Sequence, residues 1–263
     1  MGTIPLNSRQ IHLWFAFPDE INQPELLQQY QELMNEEEKI RQKRFHFQRH
    51  QHQYLVTRAL VRTVLSRYAS ISPADWQFQK NKWGRPEIKE NSCDLPLKFN
   101  LSHTEGLIVC AVSLGSEIGV DIENRSRREV NLRIADRYFA PNEVVELRSL
   151  PESQQMDRFF DYWTLKESYI KACGKGLAIP LNQFCFNLKQ PGKIEVSFES
   201  ALGDSPDQWK LYRFNPTLEH WVALAVRCDS NQTLQLKATK LVPLSHEEPL
   251  EILIERESGL LTP

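Results

Sequence analysis

Asp121 and Glu123, two positions apart in Gly119-Val120-Asp121-Ile122-Glu123, are the first residues in this chain whose types and spacing suggest chemistry. In a strand, alternate side chains share a face, so Ile118, Val120 and Ile122 point into a core and the two carboxylates point the other way. At about 7 Å along the strand, the carboxylates repel unless a cation or hydrogen-bond donors separate them. A half-exposed strand with a solvated acidic face is the plain alternative. Glu167 adds a third carboxylate. On a helix advancing about 100° per residue, Met156, Phe160, Trp163, Ile170 and Gly174 form one apolar stripe with Glu167 in its middle. Burying a carboxylate unpaired is costly. Lys171, one turn on, supplies a simple i, i+4 partner, and Lys166 flanks the stripe. Together Asp121, Glu123 and Glu167 form an all-oxygen donor set of the kind Mg²⁺ takes beside waters and phosphates, and no His/Cys cluster suggests zinc. Such a site implies chemistry on a phosphate ester or anhydride.

Donors for an anion are scattered. Asn100-Leu101-Ser102-His103 ends a predicted strand at a turn, where Ser102 and His103 reach an anion or Ser102 merely caps a backbone donor. Adjacent residues on an extended chain point apart, so the pair is no hydrolase dyad, and no G-x-S-x-G elbow is present. Gly84-Arg85-Pro86 sets a cation on a tight turn. Lys39, Arg41, Lys43, Arg44 and Arg49, interleaved with Phe45 and Phe47, form a basic stretch that reads either as a phosphate-binding patch or as a solvated helix face.

The elements that must hold these residues follow from periodicity and breakers. Residues 11–17 read as an opening strand, 25–69 as mostly helical, and 156–176 as a long helix stopped at Gly174 and Gly176. The segments FNLSHTEGLIVCAVSL and EIGVDIE, and those after Phe184, read as strands, and the acidic last fifteen residues as a loosely held tail. Sliding the chain by 108 residues puts Tyr54 on Tyr162, Arg58 on Lys166, Ile71 on Ile179 and Phe78 on Phe186, a hint of a duplicated α+β unit.

Composition frames this. With 263 residues, 41% hydrophobic and 25% charged, the chain is globular, with one to two domains and a core that needs no staples. A net charge of −2 excludes a basic nucleic-acid coat, so phosphate recognition has to be local. No run approaches the ~20 apolar residues of a membrane span, and the N-terminus resembles neither a secretory signal nor a myristoylation site. Five scattered cysteines without a CxxC suggest reduced thiols and a cytoplasmic location.

Taken together, GRP at 84–86, FNLSH at 99–103, GVDIE at 119–123, FFDYWTLKESYIKACGKGL at 159–177 and KIRQKRF at 39–45 resemble the 4′-phosphopantetheinyl transferases of the Sfp type. The resemblance runs over residues 11 to about 228. It implies an α+β fold of two similar α/β subdomains related by pseudo-two-fold symmetry, each a small antiparallel sheet packed on a long helix. The expected divisions are 1–115, 116–228 and a terminal strand and tail over 229–263. It implies a monomeric enzyme that transfers the phosphopantetheine arm of coenzyme A to a serine of an apo acyl or peptidyl carrier protein, releasing 3′,5′-ADP, with no nucleic-acid or membrane partner. Carried over by position, Asp121, Glu123 and Glu167 would hold Mg²⁺ (or Mn²⁺). Glu167 or a metal-bound water would be the base, and Lys171 would contact a phosphate. Arg41, Lys80, Arg85, Ser102, His103 and Lys166 would contact the nucleotide. Glu38 departs from relatives that carry a lysine there. Arg125, Arg127, Arg128, Arg133 and Arg137 read as a docking surface for an acidic carrier or as a solvated helix start. Another Mg²⁺-dependent nucleotide phosphotransferase or pyrophosphatase, or an RNA-binding module on residues 39–49, are the rival readings.

Overall fold

The computed structural model describes residues 3–126, 131–229 and 232–259, and the chain divides into two compact units. The N-terminal unit takes the chain as far as Lys80, then Pro86–Gly115 and Gln235–Leu250; the C-terminal unit takes Asn81–Arg85, Ser116–Leu234 and the end from Glu251. One succession of elements builds both. In the first it is β1 (Gln10–Ala16), three helices α1 (Pro24–Leu33), α2 (Glu36–Lys43) and α3 (Gln48–Leu65), a hairpin β2 (Phe78–Lys80) and β3 (Pro86–Ile88), then β4 (Leu97–Thr104) and β5 (Leu107–Leu114). In the second it is β6 (Ile118–Asn124), helices α4 (Arg133–Tyr138), α5 (Pro141–Ser149) and α6 (Glu152–Cys173), a hairpin β7 (Phe184–Asn187) and β8 (Glu195–Phe198), then β9 (Trp209–Thr217) and β10 (His220–Arg227). The sheets repeat as well: β5 lies between β1 and β4, and β10 lies between β6 and β9, all antiparallel.

The stretch expected to be mostly helical from 25 to 69 is broken twice. Asn35 restarts the helix by accepting the Glu38 N–H at 2.8 Å, a capping bond worth about 1 kcal/mol. In each unit the long helix covers one face of the sheet. Val56, Ala59, Leu60 and Val64 of α3 share a core with Trp14, Phe99 and Cys110. Phe160, Leu165, Tyr169 and Ala172 of α6 share one with Trp209, Trp221, Ala223 and Ala225.

The end of the chain differs from expectation. The expected terminal strand is β11 (Gln235–Val242), but the stretch expected as a loose tail carries β12 (His246–Pro249) and β13 (Leu253–Glu257). β11 pairs with β1 in parallel, from Gln10 opposite Gln235 to Phe15 opposite Lys240, so this sheet is mixed rather than antiparallel throughout. β12 extends it, and β13 pairs with β9. The acidity that suggested a solvated tail is spread over β12 (Glu247, Glu248), Glu251 and β13 (Glu255, Glu257). Inward, Leu241 joins the core and the Tyr30 hydroxyl donates to the Pro243 carbonyl at 2.8 Å.

A buried polar knot sits on β1. The Tyr68 hydroxyl lies 2.9 Å from His12 Nδ1 and accepts the Trp14 indole N–H at 2.7 Å. Burial, helped by the Lys237 charge, lowers the His12 imidazole to about 4. A base whose folded value lies below its unfolded 6.5 stabilises the fold above pH 6.5 and loses that contribution as pH falls towards 4. A shift of this size corresponds to about 3 kcal/mol. Between pH 4 and 7, melts of His12→Gln should therefore vary less with pH than those of the unsubstituted protein; parallel curves would exonerate His12. All five cysteines are free. Among the described residues, no helix is long and apolar enough to cross a membrane.

Candidate active site

The site is built where α6 crosses β6. On β6, Gly119, Asp121 and Glu123 share a face with Ala225, Ala223 and Trp221, their antiparallel partners on β10. That is the face α6 packs on, so the carboxylates look into the helix contact rather than out to water. Gly119 makes the crossing close: a Cβ there would overlap the Ser168 carbonyl oxygen and the Ala172 amide nitrogen, both backbone atoms that cannot swing away. Gly119→Ala is therefore expected to force α6 off β6, lowering the melting temperature and removing activity together. Unchanged values for both would refute the close contact.

The crossing brings Lys171 Nζ to 2.6 Å from Asp121 Oδ1. Asp121 is buried, and Glu167 and Lys171 are half-buried. Burial first, and the Asp121 charge second, hold the Glu167 carboxyl above its ordinary value, while Lys171 opposes them. Asp121, Glu167 and Lys171 thus form one electrostatic group. Glu123 is half-buried two positions further along the strand. Among the described residues, no three His, Cys, Asp or Glu side chains converge closely enough to hold a metal. At Asp121 the Lys171 ammonium supplies a positive charge. The donor chemistry still suits a hard cation: two interacting carboxylates, one with its proton affinity raised, and no sulfur or imidazole.

Two residues expected on the nucleotide are engaged elsewhere. Lys166, fully buried, points into the core of its unit. Its ammonium lies 2.8 Å from Glu143 Oε2 and donates to the Leu181 and Phe184 carbonyls, each at 2.8 Å. A side chain so enclosed has no donor left for a phosphate. Arg85 is carried by the 81–85 turn, where Asn81 Oδ1 accepts the Trp83 and Arg85 N–H groups. Its guanidinium donates to Glu117 at 3.1 Å, to the Ala172 carbonyl at 2.9 Å and to the Ile118 carbonyl at 3.1 Å. Arg85 therefore binds the C-terminal end of α6 to the start of β6, a place where a cation also suits the helix dipole.

In the N-terminal unit, Arg41 is exposed with its guanidinium 5.9 Å from the Tyr54 ring centre, and Lys80 and His103 are exposed. Ser102 is buried, and β4 sends it and His103 to opposite faces. Glu38 is no free acid in a basic patch: it takes Arg58 at 2.5 Å and Arg62 at 2.7 Å. Of the arginines following β6, Arg125 is exposed, stacked 4.9 Å over Trp221 and paired with Asp157 at 3.2 Å. Arg133 and Arg137 are exposed on α4, and Arg127 and Arg128 lie outside the described residues.

Comparison with known proteins places the chain in a family. A family model described as the 4′-phosphopantetheinyl transferase superfamily matches residues 117–226, and one described as the 4′-phosphopantetheinyl transferase N-terminal region matches 22–115. The chain is 36% identical over 196 residues to the 4′-phosphopantetheinyl transferase HetI of Nostoc sp., covering 74% of this chain and 81% of that one. It is 34% identical over 190 residues to the 4′-phosphopantetheinyl transferase Sfp of Bacillus subtilis, covering 72% and 81%. The chain belongs to the 4′-phosphopantetheinyl transferase superfamily. The likeness to Sfp and HetI makes it a phosphopantetheinyl transferase of the Sfp type.

Two residues that shape this transferase's site escape a reading by chemical type. Gly119 carries no functional group, yet its missing side chain sets the α6–β6 distance. Glu143, at the third position of α5, looks like an ordinary first-turn acid, but it is fully buried against Lys166. Its one legible signal is Pro141 two positions before, which marks the helix start.

Proposed function

We propose that this transferase moves the 4′-phosphopantetheine arm of coenzyme A onto a serine of an apo acyl or peptidyl carrier protein and releases 3′,5′-ADP. The observation that carries the reading is the grouping of Asp121, Glu167 and Lys171 where α6 crosses β6. Asp121 and Glu167, joined by Glu123, supply the oxygen ligands for Mg²⁺. Bound there, Mg²⁺ would neutralise charge on the pyrophosphate oxygens and act as a Lewis acid. Lys171 opposes charge that builds on the phosphate oxygens. Glu167, beside Asp121 and Lys171, or a metal-bound water would take the proton of the serine hydroxyl. The serine Oγ–phosphorus bond forms at the β-phosphorus, and the bond from that phosphorus to the bridging oxygen breaks, leaving with 3′,5′-ADP. In this reading Arg41, Lys80, Ser102 and His103 contact the nucleotide.

Apo carrier protein, coenzyme A and Mg²⁺, followed by mass spectrometry of the carrier, test the proposal. A serine-linked phosphopantetheine with matching 3′,5′-ADP, lost with a chelator and restored by Mg²⁺, is the expected result. Cleavage of coenzyme A with an unmodified carrier would favour a pyrophosphatase and overturn it. Arg125 follows β6 with its guanidinium over Trp221, and with Arg133 and Arg137 it provides positive charge for steering an acidic carrier. Reversing Arg125 and Arg133 to Glu should raise the carrier KM several-fold at low salt, and an unchanged KM would remove them from the docking surface.

A further inference from the structure

The two units share a device that bears on the lysine next to Glu167. In the N-terminal unit, Glu38 at the third position of α2 accepts the Asn35 N–H at 3.1 Å. It also holds Arg58 and Arg62 of α3 at 2.5 and 2.7 Å, and both guanidinium groups lie over the Phe78 ring, at 4.9 and 5.2 Å. In the C-terminal unit, Glu143 at the third position of α5 accepts the Ala140 N–H at 2.9 Å and the Phe186 N–H at 2.7 Å. It holds Lys166 of α6 at 2.8 Å, with the ammonium 4.3 Å from the Phe184 ring centre and 5.8 Å from that of Phe186. The offset of 108 that aligns Arg58 with Lys166 also aligns Phe78 with Phe186. In both units, then, the third residue of a short helix caps that helix and grips a buried cation of the long helix against an aromatic strand.

We propose that Lys166 is a positioning residue, the C-terminal unit's copy of this buckle, which fixes the rotation of α6 and so the aim of Glu167 and Lys171, and that it makes no contact with the phosphates of coenzyme A. The inference rests on the transferase reading above. The mechanics are local. Successive residues on α6 are about 100° apart, so anchoring residue 166 on one side sets where 167 points. On another side, Ser168 and Ala172 are held against Gly119. Between these contacts α6 can neither roll nor slide. Placement matters because a 1 Å displacement of reacting groups costs on the order of 100-fold in rate. Removing either partner alone strands a buried charge, which is why the pair has to be tested from both sides.

The first measurement uses the unsubstituted protein. Amine acetylation under native conditions, with peptide mass spectrometry in the presence and absence of coenzyme A, should modify Lys171 and show protection by coenzyme A, and should leave Lys166 unmodified until the protein is unfolded. Lys166 reacting as fast as Lys171, with protection by coenzyme A, overturns the proposal. The second uses Glu143→Gln, a residue remote in role from any phosphate, beside the Glu143→Gln/Lys166→Met double variant. The expected result is kcat down 10-fold or more, a raised half-saturating Mg²⁺ concentration and a KM for coenzyme A within about twofold of the parent. A rise in KM for coenzyme A at unchanged kcat and Mg²⁺ requirement, or parent-like kinetics in both variants, overturns it. Should the unsubstituted protein load no carrier, the transferase reading falls, while the acetylation pattern still reports where Lys166 lies.

Discussion

Glu167→Gln is expected to lower carrier loading by at least two to three orders of magnitude while leaving a cooperative melt. Three properties of the site lead there. The substitution preserves shape, so the α6–β6 crossing at Gly119 is undisturbed. It removes one of the two carboxylates whose charges interact, and a group that stabilises transition-state charge or takes a proton commonly contributes 10²–10⁴ in rate (about 3–5 kcal/mol). It also relieves a cost. Glu167's folded pKa is raised, by burial and then by Asp121. Its contribution to stability is therefore fullest below the ordinary carboxylate value and is lost as pH rises through the elevated one. Without added metal, the Gln variant should be as stable as the parent or more so at neutral pH. Near-parental turnover by Glu167→Gln would refute its role.

Ending the chain at Cys228 is expected to be more damaging to the fold than any point substitution. It deletes β11, and β1 loses its parallel partner along Gln10–Phe15. It strips Leu241 from the core, the Tyr30–Pro243 bond at 2.8 Å and the Arg67–Glu247 and Lys240–Glu20 pairs, each 2.8 Å. Emptying one leucine-sized core site costs about 2–5 kcal/mol, against a total of about 5–15 kcal/mol for a domain. At roughly 2–4 °C per kcal/mol, the melting temperature should fall by on the order of 10 °C. The bared edge of β1, whose strand is apolar along most of its length, should also make the protein associate. Calorimetry and gel filtration read both effects. A truncated chain that melts within 2 °C of the full one and elutes unchanged would show that β11 is dispensable.

The elements and the acid group were legible because period and chemistry agree there. GVDIE alternates as a strand should, and Glu167 and Lys171 stand one helical turn apart. The buckles were not legible, because in a sequence a buried lysine and a phosphate-binding lysine look alike: Lys166 follows Trp163 and precedes Glu167 in what reads as one catalytic stretch. Arg85 misleads for the same reason, since a cation on a glycine turn fits a helix terminus as well as a nucleotide. The last two strands were hidden by composition, since β12 is acidic and exposed throughout. β11 was legible as a strand, but its parallel pairing with a strand more than two hundred residues earlier was not, because no local pattern records it.

That long-range pairing orders events during synthesis. The sheet of the N-terminal unit cannot be finished when its own helices and first three long strands have emerged, because the strand that flanks β1 is encoded after the whole of β6–β10. At about 5–20 residues per second, β1 waits several seconds or more with one edge open while the second unit is made. The C-terminal unit likewise lacks β13 until the chain is almost complete. Neither half is a free-standing domain on the ribosome, and splitting the chain near residue 115 leaves an unfinished sheet on the N-terminal side.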